Sequence, residues 1–243
     1  MAADRRDARG MRLTSALLAT LAVAACESPS VPTETFAYDP RRLTGGLVYH
    51  WPAGRTIAIW VDTTAQGQVN AGADPGEAFD IEQAVREGAA FWDGASHYGE
   101  FDFRFTGDPA DADVVVRYRQ APRVVDDAAC DAPGSGAGET IFCADELVAP
   151  VLPLLDGGGG RVKIDVLLDP LWVSDALLAT HGLTRERHFV QLAAHELGHV
   201  LGIGGHSPDD EDIMYALALA GRVSAGDAAT LRWVLRQEAD ITF

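Results

Sequence analysis

Two histidines four residues apart, with a glutamate directly after the first, form the chemically most informative part of this sequence. His195 and His199 stand in a stretch with helical periodicity, and two positions four apart project from one side of a helix, one turn apart. Two imidazoles in this arrangement suit a tetrahedral Zn²⁺ ion. Glu196 can take a proton from a metal-activated water without binding the metal, and can later protonate a leaving amine. The pattern therefore predicts metal-assisted hydrolysis. The alternative is that both are surface or capping histidines on an amphipathic helix, which would have the same spacing.

The residues after this motif provide a route for a third ligand. Gly202 permits a sharp end to the helix, and the chain can then double back to bring His206 to the same metal. The fourth position stays open for water, as a catalytic zinc requires. The alternative third ligand is a carboxylate oxygen of Asp209 or Asp210. We expect one catalytic zinc ion, held by His195, His199 and His206.

The stretch HELGHVLGIGGHS, followed by DIMYA, resembles the metzincin zinc metalloproteases, and most closely their matrixin branch. The resemblance implies an endopeptidase that cleaves a peptide or protein substrate at a three-histidine zinc site. It implies that Met214 packs beneath the zinc ligands without binding the metal, which differs little from an ordinary core role for this residue. It also implies an α+β catalytic domain, in which a twisted, mostly parallel sheet carries two long helices and a small C-terminal lobe adds one more.

Three features depart from the family pattern. The family's third histidine would stand at position 205, which is Gly205 here, so His206 comes one residue late, beside two glycines able to accommodate the extra residue. No cysteine between Cys26 and the first predicted strand is free to occupy the zinc, as the prodomain cysteine of matrixins does. No stretch is an obvious match for the family's structural zinc and calcium loops, and the aspartate-rich loops at 108–113 and 209–212 leave calcium possible but unassigned.

Hydrophobic periodicity predicts the elements that must position these residues. The predicted strands are 55–62, 101–105, 113–119 and 161–168. The predicted helices are 74–95 with Asp74 as cap, 184–203 with Thr184 as cap, and 225–236. Residues 120–160 read as irregular, with Thr140–Cys143 as a candidate for a strand that pairs with the substrate. We expect the catalytic domain to cover 55–243 and a proline-containing tether to cover 26–54.

The N-terminus has the pattern of a targeting segment rather than of folded structure. Four arginines precede an apolar run that ends in small residues, which predicts a signal peptide over 1–25, with Met1 or Met11 as the start. Val23-Ala24-Ala25-Cys26 resembles the lipobox of bacterial lipoproteins, which implies acylation of Cys26 and a lipid anchor in a membrane surface. A plain secretory signal with an incidental cysteine is the alternative.

The net charge and the cysteine content bear on the partners of the protein and on its disulfide bonding. The net charge of −17 and the lack of a basic run argue against nucleic acid as a partner, and we expect a monomer. An exported chain meets oxidising conditions, so we expect a disulfide between Cys130 and Cys143, with two free thiols as the alternative. A surface-anchored binding lipoprotein with a non-catalytic metal site is the main alternative to a protease, and a small-molecule metallohydrolase is a further one.

Overall fold

The protein is described from a computed structural model, which covers residues 36–64, 66–70, 78–118, 138–144, 162–168 and 174–242. The expected signal peptide over 1–25 lies outside these ranges, as do three further positions singled out from the sequence. They are Cys26, expected to carry the acyl anchor, Cys130, expected to form the disulfide, and Asp74, expected to cap a helix.

A five-stranded, mostly parallel sheet forms the base of the domain. Its strands are β2 (Arg55–Val61), β3 (Phe101–Phe105), β4 (Val114–Tyr118), β5 (Gly138–Ala144) and β6 (Val162–Leu168). They lie in the order β3-β2-β4-β6-β5, and only β5 is antiparallel to its neighbour. Alternation predicted four of these strands closely. The strand β5 lies in a stretch that the sequence analysis read as irregular, because its glycine-rich surroundings hide the pattern, although the candidate Thr140–Cys143 falls inside it.

Two helices pack together and carry most of the core with the sheet. The helix α2 (Ile81–Ala90) begins seven residues after the predicted start, because Asp80 caps it by accepting a hydrogen bond from the Gln83 backbone N–H at 3.0 Å. The helix α4 (Arg185–Val200) is capped by Thr184, as predicted. Trp92, fully buried after α2, donates its indole N–H to the Ala194 carbonyl of α4 at 2.8 Å. The sequence thus located both helices, but overestimated the length of each.

The shorter elements complete the domain. The helix α5 (Ala225–Arg236) has the predicted bounds and begins with a capping box between Ser224 and Asp227. Three short helical elements were not predicted, namely α1 (Gln66–Val69), a 3₁₀ turn (Pro109–Asp111) and α3 (Asp175–Thr180). The fold is thus α+β, as expected from the resemblance.

The part of the expected tether that the structure describes, residues 36–54, is packed on the domain. Tyr38, Tyr49 and Trp51 of this segment are each at most 6% exposed. The two-residue strand β1 (Tyr49–His50) pairs in parallel with β7 (Ile241–Thr242) at the other end of the chain. The proline content suggested a solvated tether. Burial of these large aromatic side chains is more favourable than their exposure in a solvated linker, so the segment packs on the domain. One compact unit runs from Glu34 to Phe243.

Candidate metal centre

The metal-site helix α4 ends in a turn that depends on glycine. The backbone N–H of Gly202 donates to the His199 carbonyl at 3.0 Å, and that of Ile203 donates to the Gly198 carbonyl at 3.1 Å. This pair of bonds defines a Schellman motif, which needs a left-handed residue after the helix. Gly202 supplies it with a φ of +112°. The expected reversal of the chain after α4 therefore has a specific structural cause.

The reversal brings the three predicted histidines together. The ring centroids of His195, His199 and His206 lie 4.9 to 5.2 Å from one another. One nitrogen from each ring can be chosen so that all three lie within 4.8 Å of one another. The Nε2 atoms of His199 and His206 are 3.3 Å apart. His206 thus joins the pair on α4 despite standing one residue later than in the family pattern.

Backbone carbonyl groups orient two of the imidazoles. The Nδ1 atom of His195 lies 2.9 Å from the Ile213 carbonyl oxygen, and that of His199 lies 2.5 Å from the Ile203 carbonyl oxygen. A proton on each Nδ1 satisfies these contacts and leaves each Nε2 with a free lone pair. Hydrogen bonds of this kind fix the tautomer of a metal-binding histidine.

Burial keeps the three imidazoles neutral. It lowers the pKa of His195 well below the usual value, and the pKa of His199 to about 4, with further lowering by neighbouring imidazoles. The pKa of His206 is lowered by burial and then by the positive charge of Arg42. Neutral imidazole is the form that binds a metal ion, so the protein holds its donors ready near neutral pH.

Glu196 is 3% exposed and stands next to His195 on α4. Burial, and after it the negative charge of Glu196, raise the pKa of Tyr49 above its usual value. The Tyr49 hydroxyl therefore stays protonated, and it donates a hydrogen bond to the His199 carbonyl oxygen at 3.3 Å. The site thus combines three neutral nitrogen donors, two of them on α4, with a buried carboxylate on that helix.

Met214 is fully buried and packs against α4. A Cβ atom added at Gly198 would lie 2.3 Å from the Met214 sulfur and 2.7 Å from Trp92 Cζ2, so only glycine fits between them. The loop from His206 to Met214 closes through Ser207, whose backbone N–H donates to the Met214 carbonyl at 2.9 Å. The methionine therefore lies against the helix residue that directly precedes His199.

Asp227 is a supporting residue that no sequence pattern pointed to. It is fully buried on α5, and its carboxylate accepts the backbone N–H groups of Ile213 at 2.8 Å and Met214 at 3.3 Å. It also accepts the Tyr38 hydroxyl at 2.8 Å. The spacing Ser224-x-x-Asp227 signals a capping box in the sequence, but it does not reveal these long-range partners.

The residues present fit a zinc ion. Three neutral imidazoles with converging nitrogens match the three-ligand pattern of a catalytic zinc with one position left for water. The alternative ligands Asp209 and Asp210 are exposed, and they line a shallow depression of about 380 Å³ with Pro208 and Tyr215. In the aspartate-rich loop 108–113, Asp113 pairs with Arg55 at 2.9 Å, and calcium stays unassigned there.

One comparison with known proteins, the match to a family model, agrees with this geometry. The matrixin family model matches residues 69–224, which is well over half of the chain. The solved structure of myroilysin aligns with a TM-score of 0.38 at 14% sequence identity, over 78% of this chain and 96% of that one, which adds nothing to the family match. No curated protein matches the chain. The family match and the histidine cluster support a zinc metalloprotease, and the chain belongs to the matrixin family.

Proposed function

We propose that this protein is a zinc-dependent endopeptidase in which His195, His199 and His206 hold the metal and Glu196 is the general base. The observation that carries the proposal is the convergence of three neutral imidazoles, with the buried Glu196 next to one of them on α4. A zinc ion bound there would acidify a water molecule and polarise the scissile carbonyl group. The carbonyl oxygens of Ile213 and Ile203 accept from Nδ1 of two of the rings, which leaves the Nε2 atom of each ring available to the metal.

Glu196 performs the proton transfers of the proposed reaction. Its carboxylate accepts a proton from the water that attacks the peptide carbonyl carbon. It then donates that proton to the amide nitrogen as the C–N bond breaks, so that the amine leaves neutral. Burial suits this role, because a carboxylate shielded from bulk water exchanges its proton with the reacting atoms.

The edge strand β5 is the proposed docking surface for the substrate backbone. It packs against α4, and in the described part of the chain no strand pairs with its outer edge. An extended peptide can add to such an edge through backbone hydrogen bonds. Both ends of the peptide could then extend past the site, which favours cleavage within a chain over removal of terminal residues.

The experiment that tests the proposal is a comparison of Glu196→Gln with Glu186→Gln on a broad peptide library. Glu186 is an exposed carboxylate in the first turn of the same helix, which makes it a matched control. Glu196→Gln should lower kcat/KM by about 10²-fold or more while zinc stays bound in stoichiometric amount. Glu186→Gln should cleave normally.

Two other outcomes would contradict the proposal. If wild-type protein binds zinc but cleaves nothing in the library, a binding protein with a non-catalytic metal site becomes the better description. If Glu196→Gln retains most of the activity, Glu196 is not the general base.

We also propose that the protein is exported by residues 1–25 and anchored through an acylated Cys26. The support is the sequence pattern alone, in which a charged start, a short apolar run and small residues precede the cysteine. The anchor would hold the enzyme at a membrane surface, where its substrates would be peptides and proteins of the cell envelope or the surroundings.

A further inference from the structure

The segment of residues 37–51, here called the N-terminal strap, lies against the loop that carries His206. The backbone N–H of Leu43 donates to the Gly204 carbonyl at 2.7 Å. A Cβ atom at Gly204 would lie 2.3 Å from Thr44 Cγ2, and one at Gly205 would lie 2.3 Å from the Asp39 carbonyl oxygen. Both residues directly before His206 therefore touch the strap with no space for a side chain.

The strap also contacts the part of α4 that carries His199. The Tyr49 hydroxyl donates to the His199 carbonyl at 3.3 Å, and the Trp51 indole N–H donates to the Val200 carbonyl at 2.9 Å. A Cβ atom at Gly202 would lie 2.3 Å from the Tyr49 carbonyl oxygen. The strap thus holds the turn that ends α4, from which the His206 loop departs.

A third set of contacts links the strap to His195. The Tyr38 hydroxyl donates to one oxygen of Asp227 at 2.8 Å, and the other oxygen accepts the Ile213 backbone N–H at 2.8 Å. The Ile213 carbonyl in turn accepts the hydrogen bond from His195 Nδ1. Each of the three imidazoles is therefore supported by an element that the strap touches.

The two glycines before His206 make the loop dependent on the strap for its order. The His206 loop has one residue more than the family spacing, and Gly204 and Gly205 have no side chains with which to anchor it. Glycine also loses more conformational freedom on folding than any other residue. We propose that the N-terminal strap, which lies outside the residues matched by the family model, is a positioning element that fixes His206 and preorganises the metal site. This inference rests on the proposed zinc site.

The first test is the zinc affinity of Gly205→Ala, measured by competition with a chelator on the purified full chain. The added methyl group would meet the Asp39 carbonyl oxygen, so either the strap or the loop must shift. We expect the Kd for zinc to rise by about 10- to 100-fold, as for other losses of support behind metal ligands. With Co²⁺ in place of zinc, the visible absorption bands should change in position or intensity. Gly107→Ala is the matched control, because a Cβ atom at Gly107 meets nothing within 4 Å.

Tyr38→Phe provides a second, gentler test that removes only one hydroxyl group from the strap. We expect a smaller rise in the Kd for zinc, of about 3- to 10-fold, on the scale of one lost hydrogen bond. Tyr98→Phe is the control, since Tyr98 is 86% exposed. The melting temperature of each metal-free variant separates a weaker fold from a weaker site.

The inference is overturned if Gly205→Ala and Tyr38→Phe lower the melting temperature but bind zinc and Co²⁺ like the wild type. The strap would then stabilise the fold without positioning the ligands. If Gly205→Ala does not fold, an unchanged zinc affinity and Co²⁺ spectrum in Tyr38→Phe overturn the inference alone. A wild-type protein that takes up no zinc overturns the proposed function as well, so the two failures are distinguishable.

Discussion

At the scale of single residues, the site depends on the protonation state of buried imidazoles. His195 is 3% exposed and His199 is 9% exposed, and each ring is held by a backbone carbonyl. A carbonyl oxygen requires a proton on Nδ1, so the second nitrogen stays free only while the ring is neutral. The neutral state of these buried rings therefore determines both metal binding and its dependence on pH.

We predict that the metal-free protein loses stability as the pH falls from about 6.5 to about 4. The pKa of His199 is lowered from 6.5 to about 4 in the folded state, chiefly by burial and then by His206. Between these values the unfolded chain binds more protons than the folded chain, so the free energy of unfolding decreases as the pH decreases. Urea unfolding of metal-free protein at pH 7, 5.5 and 4.5 measures this.

The control for this pH dependence is His199→Asn, which removes one titrating ring. Its free energy of unfolding should depend less steeply on pH than that of the wild type over the same range. Equal slopes for the two proteins would show that His199 does not contribute, and would contradict the lowered pKa. Carboxylates that titrate in both proteins cancel in this comparison.

At the scale of elements, the site depends on the close contact of α2 with α4. A Cβ atom at Gly88 of α2 would lie 2.8 Å from the Val190 carbonyl oxygen and 2.9 Å from the Ala194 backbone nitrogen. Both neighbouring atoms belong to the backbone of α4, and Ala194 directly precedes His195. A side chain at this contact therefore cannot be accommodated by a change of rotamer.

We predict that the steric clash in Gly88→Ala costs about 1–3 kcal/mol of stability, as is typical when a methylene is added to a packed core. Alanine gains about 0.5–1 kcal/mol over glycine within a helix, which offsets only part of that loss. Urea unfolding should therefore show a net loss, with Gly94→Ala, where a Cβ atom meets nothing within 4 Å, near the wild type. A Gly88→Ala protein as stable as the wild type would mean that α2 can move away from α4 at little cost.

At the scale of the whole molecule, the proposed attachment to a membrane is through an acyl chain on Cys26. Among the described residues, no helix is both long and apolar enough to cross a membrane. The net charge of −17 also disfavours attraction to an anionic membrane surface.

We predict that Cys26→Ser moves the exported protein from the membrane fraction to the soluble fraction. Loss of the thiol removes the site of acylation, and burial of an acyl chain contributes about 0.8 kcal/mol for each CH₂ group. Fractionation followed by immunodetection measures the change, with Ser28→Ala as a control near the same position. Wild-type protein in the soluble fraction would favour a plain secretory signal.

The sequence by itself determined the elements and residues whose signals are local. The two histidines on α4 follow from a four-residue spacing, Thr184 from capping chemistry, and α5 from periodicity and a capping box. The position of His206 was also predicted, because Gly202 allows the reversal that brings it to the other rings. Each of these depends on residues within a few turns of one another, where backbone geometry restricts the possibilities.

Only the tertiary structure decided the features that depend on contacts distant in the chain. The packing of the strap was missed because its prolines suggest a linker, whereas its aromatic residues find partners about 150 residues later in the sequence, such as Val200 for Trp51. The strand β5 forms by antiparallel pairing with the edge of β6. Asp227 supports the site because the fold brings Tyr38 and Ile213 to its carboxylate. Burial and hydrogen bonding between distant segments are properties of the folded chain, and local patterns do not encode their partners.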